Sequence, residues 1–359
     1  MPVNEWWPRI ARRAVAGLGV QPGELVQVRD QAGRPEVLVE ILLAVERAGA
    51  TPWLEIEPPA YIRRLLTEVD PAHLARWDRH RGDLMGRIDR VLVLGGPDLD
   101  LADAPLEGVE AWRAARHRVG VAEEARRLPF LVLSVPTAER AAAAGMALAD
   151  LEAAVLPALA AGAATLRREI EGVLRRVADG RTLTVRSGAD CTLHLTLTAR
   201  PWMSDDGAID ATDRARGAIV SNIPGGSIYT TVLESAGHGQ LRLPQAGDAR
   251  DVILRFTDGR ITDIAAARGA DALRTMFDRH SGEARRISHI GLGLNPHLHQ
   301  PLNWVLLDEH IHGHLFIAFG ENRYMGGENE SSLNVDYTLP GATLLVDDRI
   351  IVANGKVTE

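Results

Sequence analysis

A single cysteine, Cys191, stands in 359 residues. That excludes an internal disulfide framework and any zinc or iron–sulfur site built from paired cysteines, so His, Asp and Glu must supply whatever metal ligands the chain has. There is no surplus of positive charge. Lys and Arg total 40 against 48 for Asp and Glu, a formal charge of -8, and nucleic acid is not an expected partner. No apolar run reaches membrane-spanning length. The segment Met1 to Arg13 carries Asn4, Glu5, Arg9, Arg12 and Arg13 where a secretory signal would need an apolar stretch. Internal repeats and low-complexity linkers are also missing. The expectation is a soluble, cytoplasmic protein that binds neither membrane nor nucleic acid. What is present is ordinary globular material, 46% apolar and 25% charged, in a chain longer than one core usually organises. Two domains are expected.

From Arg9 to Glu57 the pattern reads as helix, turn, strand, helix, strand. Pro22-Gly23 punctuates before the alternating Leu25 to Val28, and a helical stretch from Glu36 to Ala48 stops at Gly49. The apolar runs Arg90 to Leu94 and Phe130 to Val135, each closed by Gly or Pro, read as buried parallel strands. Gly95-Gly96 follows one of them without the rest of a dinucleotide fingerprint; a tight turn is the simpler reading and a phosphate site the alternative. The Ala-rich stretch Ala138 to Glu171 reads as one or two helices. Beyond it, short alternating segments recur at Thr182–Val185, Thr192–Leu197, Gln240–Leu243, Val252–Phe256, Leu315–Phe319 and Thr343–Val346, with one clear helix at Asp271–His280. The expected organisation is an N-terminal α/β layer domain over residues 1–165 and a C-terminal, mostly β domain over residues 166–359 that carries the active site.

Six of the twelve histidines, His289, His297, His299, His310, His312 and His314, fall close together, followed by the acidic, Gly-rich run Gly326 to Glu330 and by Asp336. Imidazole and carboxylate are the groups that borderline divalent ions accept. His310, His312 and His314 alternate as they would on one exposed strand face, so solvated decoration and ligation both fit. The same two readings hold for His297 and His299, beside the turn after Asn295-Pro296. His289 stands before Gly291-Leu-Gly-Leu-Asn-Pro296, where backbone can approach a ligand closely, and a functional role is favoured. Asn334 and Asp336 are two residues apart on a strand-like stretch, so their side chains share a face. Trp202, Trp304 and Tyr229 are read as core packing in preference to pocket lining.

Val20 to Glu24, Ala48-Gly-Ala50, Pro136-Thr137 with Gly145-Met146, Asn222-Ile-Pro-Gly-Gly226, Thr257-Asp-Gly-Arg260, Gly293-Leu-Asn-Pro296, Asp308-Glu309 and Gly326-Gly327 occur in order over most of the chain. Together they resemble the aminopeptidase T family of metallopeptidases, which implies an N-terminal α/β domain and a β-rich C-terminal domain bearing metal. The resemblance implies two metal ions held by two Glu, two His and one Asp. At those positions this chain has Ser227, His289, Phe316, Asn334 and Asp336, so only Asp336 matches, with Tyr324 a counterpart of the active-site tyrosine. Ser and Phe cannot bridge two cations.

Ser288-His289-Ile-Gly-Leu-Gly-Leu-Asn-Pro296, Phe319-Gly-Glu-Asn322, Gly326-Gly327 and the stretch ending at Asp336 are similar to the 2,5-dihydroxypyridine dioxygenase branch of the same fold. That resemblance implies one Fe(II) with two His and one Asp, here His289, Asn334 and Asp336. It implies a ring-opening dioxygenase acting on a small cyclic or aromatic substrate, and a homo-oligomer. Asn334 in place of the second His is the departure, an amide oxygen being a weak ligand for Fe(II). His314, Glu328 or Glu330 could supply a further ligand or substrate contact, as could Ser227, and Tyr324 and His314 are the expected catalytic groups. Fe(II) is the favoured ion, with Zn and Mn as alternatives. A single-metal hydrolase that releases an N-terminal amino acid or cleaves an amide is the second reading, and a metal-free binding protein the third.

Overall fold

The computed structural model of the protein describes residues 3–97, 99, 101 and 103–359, with side chains from Glu5 onward. Met1 and Pro2, the start of the segment weighed above for a signal, lie outside the described residues. The chain divides into two compact units, Met1–Ala163 with Gly207–Gly225, and Ala164–Asp206 with Gly226–Glu359. The sequence reading placed one boundary at 165/166 and no return crossing. The return exists because the four-residue strand Val220–Ile223 pairs in parallel with Phe130–Ser134 and completes the first unit's sheet.

That sheet is parallel and five-stranded, in the order Thr51–Ile56, Leu25–Asp30, Arg90–Gly95, Phe130–Ser134, Val220–Ile223. Its central strands are buried along nearly their whole length, which is why they read as apolar runs instead of alternating ones. Helix Val3–Leu18 buries Trp7, Ile10, Ala11, Ala14, Val15 and Leu18, a spacing of threes and fours that keeps one stripe inward. A Cβ on Gly96 would overlap the Gln31 carbonyl, so Gly95-Gly96 is a turn closed by backbone contact. Three helices, Ala138–Ala143, Leu148–Leu159 and Ala163–Val177, occupy the stretch read as one or two. Among the described residues no single helix is long and apolar enough to cross a membrane.

The second unit holds two antiparallel sheets. The larger runs Arg260–Arg268, Ala249–Thr257, His238–Ala246, Thr192–Thr196, Thr182–Arg186, Thr343–Val346, Arg349–Ala353, Lys356–Val357, and the smaller runs Asn334–Leu339, Leu315–Gly320, Ile287–Gly293, Ser227–Thr231, Met203–Asp205. Every alternating segment named above falls in one of these strands, save that Leu197 lies just past Thr192–Thr196, and the expected helix is Ala270–Asp278. One core joins the sheets: Leu241, Leu243 and Leu254 from the larger meet Ile290, Ile317, Phe319 and Tyr337 from the smaller. Full burial of a side chain the size of Phe319 contributes about 1.5–3 kcal/mol. With Ile290, Leu292, Ile317 and Phe319 committed to that core, strand alternation turns His289, Gly291, Phe316 and Ala318 to the opposite face of the smaller sheet. The candidate site is built there.

Candidate metal centre

His289 lies in the middle of a strand whose seven residues are all buried. It is opposite Thr231 on one side. On the other, the register with Leu315–Gly320 shifts between Ile287 and Ile290, an irregularity of the kind that re-aims a side chain out of the regular ladder. Ala318, in the neighbouring strand, is paired with Asp336 and Gly320 with Asn334. Asp336 thus reaches across the small Ala318 towards His289, and its Oδ1 lies 3.0 Å from His289 Nε2.

The proton on His289 can be placed from its neighbours. Ser288 Oγ donates to the Glu321 carbonyl at 2.8 Å. A hydroxyl has one proton, so the 3.1 Å contact between Ser288 Oγ and His289 Nδ1 is a hydrogen bond from Nδ1–H to the oxygen. In the neutral ring the lone pair then sits on Nε2, facing Asp336. Oδ1 of Asp336 is buried and makes no other hydrogen bond; it is matched either by an Nε2–H of a protonated ring, as an ion pair, or, with the neutral ring, by a cation shared between the two lone pairs. Two ligands about 2.1 Å from one ion and at right angles stand about 3.0 Å apart. A His whose other nitrogen is held by an outer partner is also the usual state of a metal ligand. His289 and Asp336 therefore fit two positions of a metal site.

The third expected ligand does not converge with them. Asn334 is exposed and its amide donates to Tyr324 Oη at 3.4 Å. Among the described residues no three His, Cys, Asp or Glu side chains gather in an arrangement that could hold a metal. Glu328 and Glu330 turn into solvent, with side chains 85% and 77% exposed, and are corrected as ligands. Ser227 is buried opposite Gly293 and Asp205, four pairs along the sheet from His289. Phe316, where the two-metal enzymes carry a His, is buried with its ring laid over Gly291, where a Cβ would overlap it. It meets His289 edge-on at 5.9 Å, and Tyr229 stands at 5.9 Å on a tilt. The close approach that Gly291 allows is thus used by an aromatic side chain of the protein itself. Trp304 is buried, Trp202 packs against the core, and Tyr229 lies beside the site.

The histidines at 310, 312 and 314 are not a strand face. They lie between helix Val305–Asp308 and strand Leu315–Gly320, and Gly313 takes a left-handed φ of 83° that no extended strand has. His310 is 1% exposed, its Nε2 3.6 Å from Glu309 Oε1, and neither ring nitrogen makes a hydrogen bond of normal geometry. Burial lowers its pKa against the opposing charge of Asp205. Glu309, which the sequence reading missed as a site residue, is raised well above the ordinary carboxylate range by burial and by the charges of Asp336, Asp205 and Asp308. Tyr324 is 57% exposed, but its hydroxyl end is crowded by protein and faces the Asp336 charge, and together these push it up to about 12, so it keeps its proton at neutral pH. His314 has a buried Nδ1 without a partner and a pKa lowered by burial.

That last shift has a sign. The folded protein holds His314 neutral to lower pH than an unfolded histidine, which takes a proton near pH 6.5, so the His314 contribution is fully present above about 6.5 and lost as pH falls. Asp308, pushed up to about 6 by burial, acts in reverse, adding stability as pH falls from about 6 towards the unfolded value near 3.9. The denaturation midpoint is expected to drop less between pH 7.5 and 5 in His314→Gln than in the parent chain; an unchanged drop would show that His314 is already charged in the native state.

Residues 146–359, more than half of the chain, match the profile of a family described as NicX: 2,5-dihydroxypyridine 5,6-dioxygenase. No curated protein sequence gives a match. Among solved structures, wild-type AmpT from Thermus thermophilus superposes with a TM-score of 0.78 at 18% identity, covering 100% of both chains. A 2,5-dihydroxypyridine dioxygenase from Pseudomonas putida KT2440 gives a TM-score of 0.62 at 18% identity, covering 99% of this chain and 97% of that one. The fold is the aminopeptidase T fold, mixed α/β with a parallel sheet in its N-terminal part and antiparallel sheets in its C-terminal part.

Proposed function

The chain belongs to the NicX family of 2,5-dihydroxypyridine 5,6-dioxygenases, and on that premise we propose that it is a single-metal enzyme, Fe(II)-dependent in the first instance, that opens a small polar cyclic or aromatic substrate with O2. The observation that carries this reading is His289 Nε2 set 3.0 Å from Asp336 Oδ1, a buried oxygen with no other partner. When bound, Fe(II) supplies coordination positions at which substrate and O2 exchange electrons.

The chain's own residues do the rest. Ser288 and the Glu321 carbonyl hold His289 in the tautomer that presents Nε2. Asp336 supplies the anionic oxygen. Asn334, exposed and with its amide on Tyr324 Oη, does not join them, which leaves the remaining positions of the ion to substrate and water. Tyr229 and Phe316 flank His289 with aromatic surface suited to a planar ring. Tyr324, still protonated at neutral pH, donates to a substrate oxygen, and neutral His314 accepts the proton of a ring hydroxyl.

The test is oxygen uptake by anaerobically purified protein loaded with Fe(II), screened against dihydroxylated pyridines and benzenes. Uptake that requires Fe(II) and disappears in Asp336→Ala is expected. Release of an amine or amino acid without O2 would replace this reading with the hydrolytic one, in which Tyr324 stabilises an oxyanion. Neither activity would leave a binding protein.

A further inference from the structure

The larger sheet of the second unit carries a different pair of imidazoles, on its solvent face. Strands Thr192–Thr196 and His238–Ala246 run antiparallel, with His194 directly opposite His238. Directly opposed side chains have Cβ atoms about 4.5–5.5 Å apart. Both histidines are exposed, and their rings stack with centroids 5.1 Å apart and planes 25° from parallel. On the far side of His194 the neighbouring strand places Thr184 in the same row, its Oγ1 3.2 Å from His194 Nδ1. When Nδ1–H is given to that hydroxyl, the lone pair of His194 is left on Nε2.

We propose that His194 and His238 form a surface site for a divalent transition ion of the imidazole-preferring kind, Ni(II), Cu(II) or Zn(II), with water completing the coordination. Three features carry it. The sheet holds both rings side by side before any ion arrives, so little backbone entropy is lost on binding. Both are solvent-facing, so no buried group has to be exposed, and small side-chain rotations bring two Nε2 atoms towards one point. Thr184 supplies the outer hydrogen bond that fixes the tautomer of a ligating His. The site uses none of the residues of the His289 centre and does not depend on its chemistry.

Equilibrium dialysis of the full chain against Ni(II) in a non-chelating buffer tests it. The parent is expected to take up one more ion per chain than either His194→Gln or His238→Gln, each variant weakening that uptake at least about tenfold, roughly 1.4 kcal/mol. The double variant should lose no more than either single one, and His289→Ala should retain the site. Both substituted positions are exposed, so folding is not at stake, and other surface histidines contribute equally to every variant. Equal uptake by the parent and both single variants would overturn the proposal.

Discussion

Replacing His289 with Ala is expected to lower metal affinity by at least about two orders of magnitude while leaving a folded chain. Two protein groups converge on the ion position, His289 and Asp336, and removing one leaves a lone carboxylate that water competes with easily. The variant also removes a buried ring that packs against Phe316 and Tyr229, so some loss of stability accompanies the loss of metal. Ser288→Ala should give a graded version of the same loss, about 10–100-fold, because Nδ1 loses its acceptor and the lone pair is no longer confined to Nε2. Equilibrium dialysis with Fe(II) or Zn(II), alongside circular dichroism, checks both. A His289 that only packs would show the reverse pattern, with stability falling and metal uptake unchanged.

Glu234→Ala is expected to cost about 3–5 kcal/mol of stability, the range for removing one partner of a buried ion pair. Glu234 is buried, and its Oε1 accepts from Arg200 Nη1 at 2.6 Å, from Asn322 Nδ2 at 3.0 Å and from the Glu328 N–H at 2.9 Å. Asn322 in turn donates to the Ser288 carbonyl at 3.1 Å and accepts from Asn329 N–H at 2.8 Å, while Asn329 Nδ2 donates to the Ile287 carbonyl at 3.0 Å. One carboxylate therefore fastens the loop that carries Tyr324 to the strand that carries His289. Faster amide exchange over residues 321–330 and weaker metal binding should accompany the loss. Glu234→Gln keeps an acceptor for Asn322 and Glu328 but not the ion pair, and should fall between the parent and Ala. Hydrogen exchange unchanged in that loop would mean that Glu234 stabilises the fold without positioning the site.

The parts of this site that could be read from the sequence are those set by local periodicity. Asn334 and Asp336 share a face because strands alternate, and His289 stood out beside Gly291 and Gly293. Alternation misled at His310, His312 and His314, where left-handed Gly313 breaks what would otherwise be a strand pattern. Ser288, Glu309 and Glu234 went unnoticed as site residues because their roles come from partners distant in sequence, such as Glu321, Asp336 and Asn322. The first unit's fifth strand was hidden in the same way. Val220–Ile223 is four residues long and finds its place only by pairing with Phe130–Ser134. Ser227–Thr231, a largely buried strand of mostly polar residues, offers no apolar alternation to detect.

The most direct measurement is the elemental metal content of the parent chain purified anaerobically without chelators, compared with Asp336→Ala. The account expects about one divalent ion per chain, iron in the first instance, and close to none in the variant. Two ions per chain, or equal content in both proteins, would contradict a single site held by His289 and Asp336.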